Sequence, residues 1–331
     1  MAGDEWYKDV VFYLIWPRSF ADGNGDGIGD LYGVYEKLNY VKSLGVGGIW
    51  FSPLYVSPNA DFGYDIADYR RISPDYGDEK IFRRVLDRAH ELGLKVIMDL
   101  VINHTSIEHE WFRKGIDPAS PYHDYYIWRD PAPDGGVSNN WQSMFGGPAW
   151  TYNEENGQYY LHLFSAGQPD LNMDNPRVRD EVKDVMRYWL DMGVDGFRED
   201  VITLISKAEG LPNDRGPLSL PKGRQYYDCG PHLADYLGEF RHDVLAQHDC
   251  FVVGEAPFVD VEKARMLTQG PRESRLLDMV FSFEHMEADC LFTEYIPLPF
   301  SPRRLMRALS RWQDGLHGVG WNALYLENHD P

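Results

Sequence analysis

Three stretches repeat one pattern: KSLGVGGIW (42–50), HELGLKVIM (90–98) and LDMGVDGFR (190–198). In each, a helical segment ends at a Leu-Gly or Met-Gly step and a short run rich in β-branched residues follows at once. Glycine just past a helix permits the left-handed turn that stops it, and a short apolar run bounded in this way is typical of a buried strand. The repeat predicts a helix–strand unit that the chain uses three times.

This pattern decides the fold class. The helices before the three strands are predicted at 32–44, 78–92 and 176–192. Apolar strands that alternate with helices imply a parallel sheet covered on its outer face. We predict seven such strands, at 10–16, 47–52, 96–102, 194–198, 251–254, 279–283 and 322–326.

The expected fold is α/β, a (β/α)8 TIM-type barrel. A closed barrel needs eight strands, and the chain stops at Pro331, directly after the seventh. We therefore expect the eighth βα unit to be missing and the sequence to be a piece of a longer protein.

The strand–helix rhythm fails between residues 105 and 174, where Gly, Pro, Asn, Trp and Tyr are frequent. A structureless loop of that length is implausible in a compact domain, and its tryptophans argue against disorder. We predict a small inserted domain at 105–174, with the barrel formed by 1–104 and 175–331.

Composition limits the partners. A formal net charge of −20 disfavours nucleic acid, anionic lipid and polyanionic substrates, whereas a neutral substrate is not repelled. Ten Trp, 21 Tyr and 16 Phe suit the apolar faces of sugar rings. Cys229, Cys250 and Cys290 fit no metal or disulfide spacing and are expected to be reduced thiols. Without a signal-like N-terminus or an 18-residue apolar run, we expect a soluble, cytoplasmic protein with no membrane partner.

Polar residues follow the predicted strands where a barrel carries its function, at the carboxyl ends. Any one of them could be a helix cap or a loop ion pair, but four strands share the feature. The residues are Asp99, Asn103, His104, Arg198, Asp200, Glu255, Asn328, His329 and Asp330.

Two of these carboxyl groups suit cleavage of a glycosidic bond. The reaction needs one ionised carboxylate as nucleophile and one protonated carboxyl as acid. Arg198 lies two residues before Asp200, so strand alternation points both side chains to one face, where the guanidinium would hold Asp200 ionised. Glu255 follows an apolar strand, where desolvation raises a carboxyl pKa. We predict Asp200 as nucleophile and Glu255 as general acid.

MDLVINH (98–104), GFREDV (196–201), VGEAP (253–257) and ENHD (327–330) resemble the four signature regions of the α-amylase superfamily, glycoside hydrolase family 13. QPDLN (168–172) is similar to its fifth region. The resemblance covers essentially the whole chain. It implies that Asp200 is the nucleophile, Glu255 the acid/base and Asp330 the third carboxylate, which stabilises the transition state. It also places His104, Arg198 and His329 around the nonreducing glucose.

The segment SPNADFGYDIADY (57–69) is similar to one in exo-acting oligo-1,6-glucosidases. The resemblance implies that Asp61 and Tyr64 bind the terminal glucose, and that Phe145, Phe164 and Gln168 of the inserted domain belong to the same pocket, although each could equally be domain core. Val201, after the nucleophile, accompanies preference for α-1,6 linkages in this subgroup. The implied activity is that of a retaining exo-acting α-glucosidase acting on short isomalto-oligosaccharides. An α-1,4-glucosidase, a transglucosylase, a sucrose isomerase and a non-catalytic barrel homologue remain alternatives.

The loop DGNGDGIGD (22–30) places oxygen ligands at alternate positions between glycines, as a hard cation requires. The loop resembles the calcium loop after the first strand in this subgroup, although a loop of Asx turns without metal remains possible. The expected structural Ca2+ ligands are Asp22, Asn24, Asp26, the Ile28 carbonyl and Asp30.

One position departs from the family pattern. Glu199 stands where an apolar residue is usual. Strand alternation aims Glu199 away from the pocket, toward the surrounding helices. A buried acid there needs a partner or must stay neutral.

Overall fold

A parallel sheet of seven strands forms the centre of the molecule. The computed structural model describes residues 5–216, 220–291, 293–326 and 328–329. The strands of this sheet are β1 (Phe12–Ile15), β2 (Gly48–Phe51), β5 (Lys95–Leu100), β9 (Gly196–Glu199), β10 (Phe251–Glu255), β11 (Met279–Phe281) and β14 (Trp321–Ala323). They are hydrogen-bonded in that order, and every pair is parallel. All seven predicted strands are confirmed, and the curled sheet is that of a TIM-type barrel.

Helices pack against the outer face of this sheet. They are α1 (Pro17–Phe20), α2 (Leu31–Ser43), α3 (Glu79–Glu91), α5 (Pro176–Met192), α6 (Leu233–Asp243), α7 (Val261–Thr268) and α8 (Pro302–Leu316), whereas α4 (Glu110–Gly115) lies in the polypeptide between β5 and α5. The three predicted helices correspond to α2, α3 and α5. Gly193 ends α5 in the left-handed conformation with φ 110°, which confirms the role of glycine in the repeat.

The polypeptide between β5 and α5 has a small sheet of its own. Its strands β6 (Trp128–Arg129), β7 (Trp150–Asn153) and β8 (Gln158–Leu161) are antiparallel, with β8 in the middle. Two further pairs are β3 (Tyr55–Val56) with β4 (Asp68–Ile72) and β12 (Cys290–Leu291) with β13 (Thr293–Pro297). The insertion packs on the barrel because Trp141 and Leu163 share an apolar cluster with Leu204 and Tyr227, which follow β9.

Glu199 is buried on the outer side of β9, as its alternation with Arg198 predicts. Burial raises the pKa of Glu199 to about 8, while the guanidinium of Arg241 on α6 lowers it and the carboxylate of Asp278 raises it. The Glu199 Oε2 atom has no hydrogen-bond partner in the described part of the chain. The carboxyl group is therefore neutral at pH 7, as a buried acid without a close partner requires.

The helices and the cysteines can be compared with what the composition indicated. None of the helices in the described ranges is both long and apolar enough to cross a membrane. Cys229, Cys250 and Cys290 are free cysteines.

Candidate active site

The carboxyl ends of β5, β9 and β10 bring the main polar side chains together. The parallel register places Asp99 of β5 beside Arg198 of β9, and Arg198 beside Val253 of β10. Glu255 ends β10, and Asp200 follows β9 directly. Neighbouring parallel strands end at one edge of a sheet, so residues far apart in sequence meet there.

The guanidinium of Arg198 is the centre of this group. Its Nη1 lies 2.5 Å from Asp200 Oδ1 and its Nη2 lies 3.0 Å from Glu255 Oε2. Both carboxyl groups therefore face the same guanidinium, and all three side chains are at least nine-tenths buried. The two predicted catalytic carboxyl groups share one site.

Asp99 is the site residue to which the sequence argument gave no role. Its Oδ1 lies 2.6 Å from Arg198 Nη1. Its Oδ2 accepts hydrogen bonds from Trp50 Nε1 at 3.0 Å and from the Tyr64 hydroxyl at 3.1 Å. The available signal was its place at the end of a strand adjacent to that of Arg198. Asp99 thus competes with Asp200 and Glu255 for one guanidinium.

This competition changes the expected electrostatics. Burial raises the pKa of Asp200 well above its ordinary range, and the charges of Glu255 and Asp99 raise it further, against the lowering effect of Arg198. Arg198 lowers the pKa of Asp200 in the predicted direction, but its guanidinium is shared among three carboxyl groups. Burial and the neighbouring carboxylates therefore oppose the ionisation of Asp200, and Arg198 favours it.

Val201 links the two predicted catalytic residues through its backbone. The N–H of Val201 donates to Glu255 Oε2 at 2.8 Å. Val201 adopts φ 37°, a left-handed conformation that costs a β-branched residue of the order of 1–3 kcal/mol. The strained turn directs this N–H toward the acid, a feature that alternation along a strand does not predict.

Tyr64 and His329 form one wall of the site. Their rings stack with centroids 5.5 Å apart, and the Tyr64 hydroxyl lies 2.7 Å from His329 Nε2. The guanidinium carbon of Arg198 lies 5.8 Å from the Tyr64 ring centroid. The structure thus brings Tyr64, His329 and Arg198 together. Asp330 lies outside the described residues, so its role as third carboxylate stays a prediction.

The other predicted substrate-binding residues form a second group. Gln168 Nε2 donates to Asp61 Oδ2 at 2.7 Å and lies 3.2 Å from His104 Nε2. The His104 ring lies 5.0 Å from that of Phe164, which in turn lies 5.7 Å from that of Phe145. Burial lowers the pKa of His104 to about 4, so its imidazole is neutral at pH 7. All five side chains form one connected set.

Lys207 is a further residue that the sequence argument missed. Its buried Nζ lies 2.7 Å from Asp170 Oδ2 of the insertion and 2.9 Å from Asn103 Oδ1, which follows β5. The Asn103 amide Nδ2 contacts His104 Nδ1 at 3.2 Å. Lys207 therefore joins the insertion to the barrel beside His104. Since Lys207 lies six residues beyond the GFREDV motif, no local pattern indicated it.

The glycine-rich loop after α1 is braced by its own backbone amides. Asp22 accepts from Gly25 N at 2.6 Å and from Gly27 N at 2.8 Å. Asp30 is buried and caps α2 by accepting from Gly33 N. Within the described ranges, no group of three or more His, Cys, Asp or Glu side chains is arranged to hold a metal ion. The calcium site therefore stays a prediction.

The carboxyl edge of this barrel sheet thus holds two buried carboxyl groups against one guanidinium, an arrangement of the kind used by barrel enzymes with paired carboxyl groups. The alpha amylase catalytic domain family matches residues 14–331. The chain belongs to that family, as the five motifs predicted.

The most similar proteins include several glucosidases. The chain is 50% identical over 338 residues to an oligo-1,6-glucosidase of Heyndrickxia coagulans, with 98% of this chain and 60% of that protein covered. It is 47% identical over 329 residues to a trehalose-6-phosphate hydrolase of Bacillus subtilis (strain 168), with 98% and 57% covered. The chain thus spans about three fifths of the length of these relatives.

Solved structures agree with this assignment. The trehalose-6-phosphate hydrolase of Bacillus licheniformis superimposes with a TM-score of 0.94 at 42% identity, over 99% of this chain and 58% of that one. The trehalulose synthase of Pseudomonas mesoacidophila MX-45 gives a TM-score of 0.93 at 39% identity, over 99% and 58%. The same backbone therefore carries both a hydrolase and a synthase.

Proposed function

We propose that the protein is a retaining exo-acting α-glucosidase that hydrolyses nonreducing terminal α-1,6-glucosidic bonds of short isomalto-oligosaccharides. The observation that carries the proposal is the contact of Asp200 and Glu255 with the single guanidinium of Arg198. Paired carboxyl groups at short separation are the arrangement that double displacement needs. The 50% identity to an oligo-1,6-glucosidase supports the same reaction class.

The reaction proceeds in two displacements. In the first, the Asp200 carboxylate attacks the anomeric carbon as the glycosidic C–O bond breaks, and Glu255 gives its proton to the leaving oxygen. In the second, Glu255 takes a proton from water, whose oxygen attacks the same carbon and releases glucose from Asp200. Arg198 contacts both carboxyl groups and keeps them aligned as charge moves from one to the other.

An exo mode of action fits the group formed by Asp61, Gln168 and His104. These side chains are linked to one another by hydrogen-bonding contacts, and the Phe164 ring packs on His104. Polar groups held in fixed positions beside an aromatic ring suit a single terminal sugar. The neutral imidazole of His104 offers such a sugar a hydrogen bond without a charge.

Product analysis on isomaltose, maltose and sucrose tests the linkage. We expect glucose release from isomaltose in clear preference to maltose. Activity on maltose alone would overturn the α-1,6 assignment. Conversion of sucrose into an isomer would favour the second candidate, a sucrose isomerase or transglucosylase. That candidate is supported by the similarity to a trehalulose synthase, because a glucosyl-enzyme can pass its sugar to another sugar as well as to water.

We also propose a structural Ca2+ in the loop of residues 22–30. Calcium takes amide and carbonyl oxygens as well as carboxylates, so Asn24 and the Ile28 carbonyl would complete a set begun by Asp22, Asp26 and Asp30. Isothermal titration with CaCl2, against a MgCl2 control, tests the site. Heat of binding that disappears in Asp22→Ala supports it, and no binding contradicts it.

A cytoplasmic location is part of the proposal. It is supported by the acidic net charge, the free cysteines and the absence of a membrane-crossing helix in the described ranges. Cell fractionation with activity measured on isomaltose tests it, and activity confined to the medium or the membrane pellet would contradict it.

A further inference from the structure

One buried guanidinium serves three carboxyl groups at the edge of the sheet. Arg198 Nη1 contacts both Asp99 Oδ1 and Asp200 Oδ1, at 2.6 Å and 2.5 Å, while Nη2 contacts Glu255. Asp99 is fully buried. If all three carboxyl groups were ionised, the group would carry a net charge of −2 in a low-dielectric environment. Such an arrangement is expensive, so a proton is retained.

Three hydrogen-bond donors converge on the side chain of Asp99. Asp99 accepts from Trp50 Nε1, from the Tyr64 hydroxyl and from Arg198. One of these three donors is the guanidinium that also contacts Asp200 and Glu255. The negative charge of Asp99 offsets part of the positive charge of Arg198. Arg198 therefore stabilises the ionised forms of Asp200 and Glu255 less than it would without Asp99.

We propose that Asp99 is a positioning residue that sets the protonation state of the catalytic pair: its carboxylate shares the Arg198 guanidinium with Asp200 and Glu255, so that these two keep one proton between them while the enzyme works. The inference rests on the proposed function. A pair with one proton supplies both the nucleophile and the acid that double displacement needs.

The other groups that face Asp99 can be separated from this effect. Arg198 and Asp200 come from β9 and the residue after it, Glu255 from β10, Tyr64 from the loop before β4, and His329 lies against Tyr64. Burial raises the pKa of Tyr64 well above its ordinary range, so this hydroxyl stays protonated through neutral pH. Asp99→Asn changes the acceptor of the Tyr64 hydroxyl, whereas Asp195→Asn leaves that contact in place. The Tyr55 hydroxyl donates to the backbone carbonyl of Asp99, which every variant keeps, and burial raises the pKa of Tyr55 well above its ordinary range.

Asp99→Asn removes one negative charge with almost no change of shape. We expect both limbs of the bell-shaped pH profile of kcat/KM to move to lower pH by about one unit, because a like charge beside an acid raises its pKa by about that much. A generally weakened fold would lower the profile without moving it. Asp195→Asn is the matched control, since Asp195 is also buried and contacts two basic side chains, Lys95 and His90, but precedes β9.

Trp50→Phe tests the effect of the Asp99 charge by strengthening it, whereas Asp99→Asn removes it. It removes the N–H dipole that stabilises Asp99 and keeps an aromatic ring, so more of the negative potential of Asp99 reaches the pair. We expect the limbs to move to higher pH. This variant decides the matter if Asp99→Asn does not fold.

The outcomes separate this inference from the proposed function. Absence of α-glucoside turnover by the unaltered protein would refute the proposed function and the inference with it. Turnover with downward-shifted limbs in Asp99→Asn, and unshifted limbs in Asp195→Asn, supports the inference. Turnover with limbs that stay in place in Asp99→Asn, or that shift equally in the control, refutes the inference alone. For Trp50→Phe, limbs of the pH profile that stay in place or move to lower pH would also refute the inference alone.

Discussion

Glu199→Gln is expected to stabilise the protein in a pH-dependent way. Glu199 is 1% exposed, and burial raises its pKa from 4.5 to about 8. An acid whose folded pKa is raised holds its proton in the folded state after the unfolded chain has released it. Stability then falls as pH rises from 4.5 to about 8 and is level above that.

The magnitude follows from the difference in pKa. One pKa unit corresponds to about 1.4 kcal/mol, so the linked loss is roughly 3 kcal/mol at pH 7 and roughly 4 kcal/mol at pH 8. Glutamine keeps the shape of the neutral acid and cannot ionise. The variant should therefore match the unaltered protein within about 1 kcal/mol at pH 5 and exceed it increasingly toward pH 8.

Urea unfolding followed by tryptophan fluorescence at pH 5, 6, 7 and 8 measures the difference. Burial lowers the pKa values of His104 and His109 to about 4 and about 3. Both residues therefore lower the free energy of unfolding as pH falls below the ordinary pKa of histidine. They are present in both proteins, so their contribution cancels. Glu91→Gln is the control, because Glu91 is an exposed glutamate at the end of α3.

A constant difference between Glu199→Gln and the unaltered protein across this pH range would refute the reasoning. It would show that Glu199 ionises in the folded state as easily as in the unfolded one. A difference of equal size in Glu91→Gln would show that net charge, rather than burial, is responsible.

Three further changes test the site. Asp200→Asn should lower turnover of isomaltose by at least about 10⁴-fold, measured by glucose release, and activity near that of the unaltered protein would discard the nucleophile assignment. Val201→Thr should raise the ratio of maltose to isomaltose hydrolysis, and an unchanged ratio of kcat/KM values would remove Val201 from linkage selection. Lys207→Met should lower the free energy of unfolding by about 3 kcal/mol, because the Asp170 carboxylate is left buried without its cation. Lys114→Met, whose ion pair is exposed, should leave the urea midpoint in place, and a loss as large as that of Lys207→Met would contradict a special role for the buried pair.

The sequence alone determined the architecture, because the periodicity that defines it is local. The Leu-Gly and Met-Gly steps before β2, β5 and β9 stop a helix and begin a strand whatever surrounds them. Alternation along β9 also determined the opposite directions of Arg198 and Glu199, and hence that Glu199 is buried against the helices. The family motifs placed Asp200 and Glu255 at the ends of neighbouring strands.

Only the tertiary structure decided how charge is distributed in the site. Asp99 meets Arg198 through the register of β5 against β9, and Lys207 meets Asp170 through the docking of the insertion. Neither contact has a local signal, because hydrogen bonding between strands and packing between segments set both. A pKa depends on every charge within several ångströms and on exclusion of water. The protonation of Asp200 is therefore a property of the assembled fold and cannot be assigned from one motif.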